Sequence, residues 1–499
     1  MKDVSPEDKG LPAKGTLPPQ GALPAQSALP EKGASPQKGA PSDESTSQDK
    51  SVLTGKSAPI SRLGDFAYSL GSFSSSILGQ TVSAFAIFYY VDVLKVPAET
   101  VSLIMVAYGI WNAVNDPLFG HISDRTRTKW GRRIPYILFL TLPLCVAFAL
   151  LWMPPFPEGH GSLALYYFAV IFLFDGFFTI VVLNWTALYP EMYPSLEARA
   201  RVSALRQILG IFGLILGVAL PPILAKTIGW KLMGLLFGAL AAVTMYASLI
   251  GARERPESSD AQGLGMMDAL KATYINKSFI FYLIPAMLIQ YTFTALQAAI
   301  PFYAKYVLGA DEFQTSLLLG ALFVMAIPFA YIWGRIIAKL GPKQSLIRSC
   351  TLYALGLVPF FLSQTFLHGV LTCLFLSFGL AGIMVLLDIF IADVTDEDEV
   401  KTGLRREGMY FGVNGFMIRL GISLNAVILG NVLVKTGYDA NLAVQPDSAL
   451  LGLRFLMSFV PIVAVVLAIL VLRGYPLDGG RLTEIKSKLA DMHASKPDR

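Results

Sequence analysis

One apolar run of the sequence carries polar side chains that could do chemistry. Four residues follow one another at intervals of four, and a second amide lies beside them: Tyr108, Asn112, Asp116, Gly120 and Asn115. An interval of four returns to the same face of a helix, and a carboxylate in lipid is costly, so this face must look into a protein interior. We interpret it as an ion-sensitive site inside a membrane protein.

A cluster of charges follows this run, and a comparable segment lies later in the chain. Lys and Arg at the end of a membrane span mark its cytoplasmic side, and networks of such charges can bias a two-state equilibrium. Gly120 would let two helices approach closely beside the first cluster. We predict a cytoplasmic gate built from both segments. Its charged residues are Asp124, Arg125, Arg132, Arg133, Asp393, Arg405 and Arg406.

Arg419 lies in another apolar run and stays charged even when it is buried. If its guanidinium meets Asp116, the pairing favours the ionised carboxylate and works against proton carriage by Asp116. We therefore expect a conditional pair, which a cation or an anionic substrate displaces in one state. A permanent structural salt bridge is the alternative.

Further polar residues in apolar runs are candidates for a solute cavity. Asp175 and Thr179 are one helical turn apart, and Asp388 is another intramembrane acid. Gln290, Thr294 and Gln297 follow a helical spacing and form a polar stripe. The run Ser74 to Ser76 adds a face of hydroxyl groups, which in a membrane helix could equally serve helix packing alone.

The composition requires a membrane protein to hold these residues. Of 499 residues, 54% are hydrophobic and only 15% are charged, against about 25% in soluble domains. Runs of roughly 20 apolar residues suffice to cross the bilayer. We predict an all-α membrane protein with both termini in the cytoplasm. Its twelve spans lie near 64–92, 98–122, 134–153, 162–189, 203–225, 230–251, 279–309, 313–339, 345–367, 369–393, 409–435 and 449–473.

The long charged joint near 252–278 divides these spans into two sets of six. Gly334 to Lys343 repeats, after the eighth span, the glycine and basic turn that follow the second span, as in transporters built from repeats. We predict an N-terminal bundle at 57–252, a cytoplasmic linker at 253–277 and a C-terminal bundle at 278–473. Residues 474–499 are predicted to be a cytoplasmic tail. The Pro-, Gly- and Ser-rich segment 1–56 is predicted to be disordered.

Four stretches of the chain resemble one known family. They are Phe88 to Leu94, Asn112 to Arg133, Ala187 to Glu191, and Ala392 to Gly408. Their residues resemble the major facilitator superfamily, and within it the glycoside–pentoside–hexuronide:cation symporters, over about residues 60–475. The resemblance implies two six-helix bundles, alternating access and coupling of sugar uptake to Na⁺, H⁺ or Li⁺. A branch of the family carries lysophospholipids with Na⁺.

The chain departs from this family at several functional positions. The place of Asn112 is typically an aspartate that helps bind Na⁺, and the place of Arg419 is commonly a lysine. Two sugar-binding acids of the family correspond to Ser76 and Val182. Trp185 lies one residue from the family's aromatic position. The polar face and the resemblance together predict a coupling site at Asp116, Asn112, Asn115 and Arg419. The polar positions in the apolar runs and the family positions together predict a cavity around Tyr108, Asp175, Thr179, Trp185, Gln290, Thr294, Gln297, Asp388 and Ser76.

These residues favour a secondary transporter for a sugar or glycoside, with an acidic sugar favoured by Arg419. The alternatives are a lysolipid or other amphipathic carrier, and a sensor that does not transport. No nucleophile–base pair, metal spacing or cofactor motif is present, and Cys145, Cys350 and Cys373 are predicted to be buried thiols. We expect lipids and a small solute as partners, no nucleic acid, a monomeric transport unit and a bacterial inner membrane location.

Overall fold

The computed structural model describes residues 62–193, 196–254, 276–403 and 407–494, and no strand occurs among them. The predicted N-terminal tail and most of the predicted linker lie outside these residues. The prediction of an all-helical protein is confirmed for the described chain. A helix satisfies its backbone hydrogen bonds internally, which a segment surrounded by lipid requires.

The helices are numbered in chain order. They are α1 (Arg62–Phe88), α2 (Ala98–Arg125), α3 (Ile134–Leu151), α4 (Ser162–Met192), α5 (Leu196–Ala219), α6 (Pro221–Thr227), α7 (Gly229–Gly251), α8 (Lys277–Tyr306), α9 (Glu312–Val324), α10 (Ala326–Leu340), α11 (Pro342–Leu362), α12 (Phe366–Thr402), α13 (Glu407–Lys435), α14 (Asp447–Met457), α15 (Phe459–Arg473) and α16 (Gly479–Ala494). A π-helical turn, Tyr89–Val93, prolongs α1.

Eleven helical segments in the described chain are long and apolar enough to cross a membrane. Two of them join consecutive helices, since α9 with α10 and α14 with α15 each count as one span. The second predicted span corresponds to α2, which has 28 residues but is not among the eleven. Its length of roughly 42 Å would suffice. Its polar residues, beginning with Asn112 and Asn115, dilute the apolar character of the helix.

Helices α1 to α7 form the N half, and α8 to α15 form the C half. In the N half, α1 packs on α5 and α7, and α3 packs on α4 and α7. In the C half, α8 packs on α13 and α15, and α12 packs on α10 and α11. The halves meet where α2 crosses α13, α1 crosses α8, and α9 packs on α5 and α6.

Two ends of the bundle can be distinguished by the direction of the helices. We call the end where α1 begins, near Asp65, the termini end, and the end where α1 finishes, near Asp92, the distal end. Gln80 meets Gln297 and Asp92 meets Lys305, so α1 and α8 run in the same direction. The two halves therefore have their termini ends on the same side.

Helices α1 and α5 approach so closely that their backbones nearly touch. A Cβ atom at Gly213 would lie 2.5 Å from the carbonyl oxygen of Phe73, and one at Gly217 would lie 2.8 Å from that of Ile77. Thr81 lies one turn further and donates to the carbonyl of Gly217 at 2.9 Å. Small residues permit this approach, as is usual where membrane helices cross.

Two helical segments near the termini end lie beyond the predicted spans. The span predicted near 369–393 continues further, because residues 394–402 form the last turns of α12. Part of the predicted C-terminal tail forms α16, whose Arg481 pairs with the buried carboxylate of Glu397 at 2.9 Å. Lys486 likewise lies 3.2 Å from Asp393. These cations offset the acidic charge of α12 and hold α16 against it, which lets α12 continue beyond the apolar stretch.

Candidate solute and coupling site

A cavity of about 420 Å³ lies between the two halves. It combines hydroxyl and amide groups with several aromatic rings, a composition suited to a small polar solute with an apolar face. The N half contributes Ser75, Ser76, Gly79, Gln80, Val82, Ser83, Ala86, Ile87, Met105, Tyr108, Asn112, Tyr167, Ile171, Phe174, Asp175, Phe178 and Val182. The C half contributes Gln290, Phe293, Thr294, Gly415, Ile418, Arg419, Ile422, Asn425 and Ala426.

Asp175 on α4 is the acid at the centre of a buried network in the N half. It is only 4% exposed. The hydroxyl of Tyr108 donates to its Oδ1 at 2.9 Å, and the Nδ2 atom of Asn115 donates to its Oδ2. Asn115 also donates to Thr179 Oγ1 at 3.1 Å. Two donors from α2 thus hold a carboxylate that would otherwise be costly to bury.

Arg419 carries this network across to the C half. Its Nη1 atom lies 2.6 Å from Asn112 Oδ1, 3.3 Å from Asn115 Oδ1 and 3.2 Å from Thr179 Oγ1. Asn115 therefore accepts from the arginine on one side and donates to Asp175 on the other. A cation of one half is linked through a neutral amide to an anion of the other half.

The electrostatic consequence is that neither charge is left alone in a region of low dielectric. Removal of one member of such a pair leaves an uncompensated buried charge, at a cost of about 3–5 kcal/mol. Because Arg419 and Asp175 belong to different halves, the network also responds to any movement between the halves. A solute that binds Asp175 or Arg419 would therefore compete with the contact between the halves.

The structure brings most of the predicted coupling residues together. Arg419 donates to both Asn112 and Asn115, two of the residues predicted for the coupling site. The side chain of Asp116 lies outside the described part of the chain, so its pairing with Arg419 stays a prediction. Thr179, predicted only as a cavity residue, is a direct partner of Arg419.

The predicted cavity residues divide into those that line the cavity and those that do not. Tyr108, Asp175, Ser76, Gln290 and Thr294 are lining residues. Gln297 lies behind this wall, where its Nε2 donates to the lining residue Gln80 at 2.9 Å. Asp388 is exposed and lies within electrostatic reach of Tyr282, away from the lining.

The prediction that Trp185 lines the cavity was wrong. Its indole stacks on Tyr68 with the ring centroids 5.1 Å apart, and the guanidinium of Arg206 lies 4.5 Å from the ring centroid. Trp185 follows the lining residue Val182 by three positions, and this rotation about α4 turns it into the interface with α1 and α5. A Cβ atom at Gly71 would collide with the indole, so α1 makes room for it there.

At the termini end, the described ion pairs of the predicted gate residues do not join the N half to the C half. Arg132 Nη2 and Arg133 Nη2 lie 2.7 Å and 3.0 Å from Glu191 Oε1. Asp393 pairs with Lys486, as described above. Arg405 and Arg406, and the side chains of Asp124 and Arg125, lie outside the described residues. A gate between the halves at this end stays a prediction for another conformation.

A cluster of four side chains, which the sequence did not predict, joins the halves at the distal end. Asp92 is 2% exposed, in the π-helical turn after α1. Its carboxylate accepts from Lys305 Nζ at 2.5 Å, from the hydroxyl of Tyr306 and from the hydroxyl of Tyr438 at 2.5 Å. We call these four residues the distal latch. The only signal in the sequence was the acid itself at the end of an apolar run.

Two further contacts between the halves lie beside the distal latch. Lys95, the one non-glycine residue of the described chain with a left-handed backbone (φ 59°), donates through Nζ to the carbonyl of Ala440. Lys226 Nζ lies 2.9 Å from Glu312 Oε2, and this hydrogen bond raises the pKa of Lys226. The structure is therefore a conformation closed at the distal end.

No group of three or more His, Cys, Asp or Glu side chains among the described residues could hold a metal ion. The three thiols are buried and unpaired with one another, as predicted. The oxygens that converge near the cavity belong to amides and a hydroxyl, and Arg419 lies among them.

A polar cavity enclosed by two helical halves is the arrangement of a membrane solute carrier. The chain belongs to the MFS/sugar transport protein family, whose model matches residues 67–479, and within the major facilitator superfamily to the glycoside–pentoside–hexuronide:cation symporters. It is an integral membrane transporter.

Individual relatives agree with this assignment. The isoprimeverose transporter of Lactiplantibacillus pentosus is 23% identical, over 87% of this chain and 93% of the relative. The glucuronide carrier protein homolog of Escherichia coli is 25% identical, over 84% and 93%. The fold is similar to that of a bacterial homolog of the human lysosomal transporter Spinster in an inward-facing, unoccupied conformation. The TM-score is 0.61 at 14% identity, over 87% of this chain and 99% of that one.

Proposed function

We propose that this chain carries a sugar or glycoside across a bacterial inner membrane by alternating access, driven by a cation gradient. The cavity between the halves is the observation that carries the proposal. Hydroxyl and amide groups from Ser76, Gln80 and Gln290 can hydrogen-bond sugar hydroxyls. Phe178 and Phe293 offer apolar surface to the carbon face of a sugar ring.

The charge of Arg419 favours an acidic sugar over a neutral one. Arg419 lines the cavity, and a guanidinium can bind a carboxylate through two parallel hydrogen bonds. The relatives include one named for isoprimeverose and one named for a glucuronide. A lysolipid would need a long apolar channel beside the polar network, and the mixed lining supports a compact solute better.

The proposed topology has twelve spans, with α2 as the second, and both termini in the cytoplasm. The polar face of α2 supports this, because it points at α4 and α13 rather than at lipid. Under this topology the distal end is the external side, and the described conformation faces the cytoplasm. We further propose that the N half, the linker and the C half act as one monomeric transport unit.

Counterflow in proteoliposomes tests the proposed function. The purified chain is reconstituted, loaded with one unlabelled solute and supplied with the same labelled solute. The panel contains a neutral disaccharide, a glucuronide and a lysophospholipid. We expect transient accumulation of the glucuronide, and less of the disaccharide. Accumulation of the lysophospholipid alone would replace the proposal with the amphipathic carrier, and no counterflow of any solute would favour a sensor.

The variant Asp175→Asn tests whether transport needs the charge of the buried network and not only the helical scaffold. It keeps the shape of the side chain but removes the charge that Tyr108 and Asn115 hold. We expect counterflow to fall at least about 10-fold, the equivalent of one lost charge-assisted hydrogen bond. Glu158→Gln is the matched control, because Glu158 is exposed in the connection between α3 and α4.

A further inference from the structure

We infer that the guanidinium of Arg419 takes the place of a coupling sodium ion, so that this site excludes Na⁺ and transport does not depend on it. The inference rests on the proposed function, because it concerns which cation gradient drives the same cavity. It concerns the three oxygen donors that converge at the meeting of α2, α4 and α13.

The donors fit a monovalent cation in their chemistry. Asn112 Oδ1, Asn115 Oδ1 and Thr179 Oγ1 are hard, neutral oxygen ligands, and all three residues are at least nine-tenths buried. They come from two helices of the N half, and they converge on one point. That point is the Nη1 atom of Arg419, at 2.6, 3.3 and 3.2 Å.

A sodium ion among these oxygens would lie against a permanent positive charge. A guanidinium does not lose its proton in proteins, so the site cannot be vacated by deprotonation as a lysine site could be. Repulsion between two unit charges about 4 Å apart, at the effective dielectric constant of a protein, weakens binding by roughly 10²–10³-fold. The donor set therefore does not fit Na⁺ while Arg419 is in place.

The buried anion of the network does not restore the balance. Asp175 is already held by Tyr108 and by Asn115, and the amide of Asn115 separates it from Arg419. The guanidinium of Arg419 therefore lies on the other side of this amide as a fixed counter-charge to Asp175. Among the described side chains of the network, one fixed cation, Arg419, accompanies one fixed anion, Asp175.

Because Arg419 belongs to the C half, its guanidinium cannot act as a mobile Na⁺ would during the transport cycle. A bound Na⁺ would enter and leave with each cycle, and its gradient would do work. A cation attached to α13 can leave the oxygens of the N half only when the halves move apart, and it then returns. The contact can report the state of the transporter, but it cannot draw on a sodium gradient.

Sodium binding to the purified full-length chain tests the inference without a substrate. Thermal unfolding in detergent is followed while NaCl replaces KCl at constant ionic strength. We expect the wild type to show no saturable, Na⁺-specific rise in Tm. A saturable rise, or solute accumulation driven by an imposed Na⁺ gradient, would overturn the inference.

The double variant Arg419→Ala/Asn112→Asp removes the fixed cation and adds a carboxylate oxygen to the same cluster. We expect it to gain a saturable Na⁺-specific rise in Tm that KCl does not reproduce. Asn425→Asp is the matched control: it adds a carboxylate to the cavity wall on α13 with Arg419 in place, and it should gain no such response.

Failure of the double variant and failure of transport have different consequences for the inference. A folded double variant that ignores Na⁺ would show that Arg419 is not what excludes the ion. If the double variant does not fold, the wild-type titration still decides the inference. If no panel solute is transported, the proposed function fails, whereas the sodium titration stands by itself.

Discussion

Lys305 Nζ lies 2.5 Å from Oδ2 of Asp92 and joins the two halves of the protein at the distal end. The lysine is half exposed, whereas the carboxylate is buried. The hydroxyls of Tyr306 and Tyr438 complete the distal latch from the same half as the lysine. One acid of the N half is therefore held by three donors of the C half, and these bonds must break before the distal end can open.

We expect Asp92→Asn to shift the protein toward a conformation open at the distal end. The loss of one charge-assisted interaction would change the equilibrium by about 2 kcal/mol, or roughly 30-fold. Distances between spin labels on the distal ends of α1 and α8 would report the shift. Glu312→Gln, in the exposed pair with Lys226, should change these distances much less. Equal effects of both variants would contradict a special role for the latch.

Arg419→Gln should lower stability more than the loss of its hydrogen bonds alone would suggest. The variant leaves Asp175 as an uncompensated buried charge, with an expected cost of about 3–5 kcal/mol. The addition of Asp175→Asn should recover part of the loss, because it removes the unpaired anion. A double-mutant cycle on the thermal unfolding of the four proteins measures this coupling. Strictly additive effects would show that the two charges do not interact.

We expect Gly213→Ala to destabilise the N half by about 1–3 kcal/mol, because its Cβ would press on the backbone of Phe73 and force α1 and α5 apart. Gly334→Ala on α10 is the matched control, since no neighbouring atom lies within 4 Å of its Cβ position. The Tm in detergent, measured side by side, distinguishes the two. A similar Tm for both variants would contradict the close crossing of α1 and α5.

Glu254 should prove important for the start of α3. Its carboxylate accepts backbone N–H groups of Arg132 at 2.8 Å and Arg133 at 3.0 Å, where the positive end of the helix dipole favours an anion. We expect Glu254→Gln to cost about 1–2 kcal/mol, and Glu158→Gln to cost nothing measurable. Thermal unfolding at low and high salt checks this. An unchanged Tm for Glu254→Gln would argue against the cap.

Much of the fold could be predicted because lipid constrains local structure strongly. The apolar runs predicted the helices, since a segment in hydrocarbon has few alternatives to a helix. The apolar runs did not predict the end of a helix correctly where charged protein groups, rather than lipid, surround it. The predicted span ended near Asp393, where acidic residues begin, but cations from α16 allow these residues to continue α12. The partner lies about 90 residues further along the chain, beyond the reach of a local pattern.

The residues of the candidate site could be named from the sequence, but the hydrogen bonds between them could not. The spacing of Asn112 and Asn115 indicated an inward face, and Arg419 and Asp175 were identified as costly charges inside the membrane. Trp185 was assigned to the cavity because it lies one residue from the family's aromatic position, but one residue turns a helical side chain by about 100°, and Trp185 is found beside Arg206 instead.

The sequence by itself determined that this is a helical membrane transporter with a charged, polar interior, because hydrophobicity and the cost of buried charge act on each segment separately. Only the tertiary structure decided that Asn115 lies between Arg419 and Asp175, and that Asp92 closes the distal end. Arg419 is 304 positions from Asn115 in the chain. Their contact depends on how α2, α4 and α13 pack, and packing is a property of all the helices together.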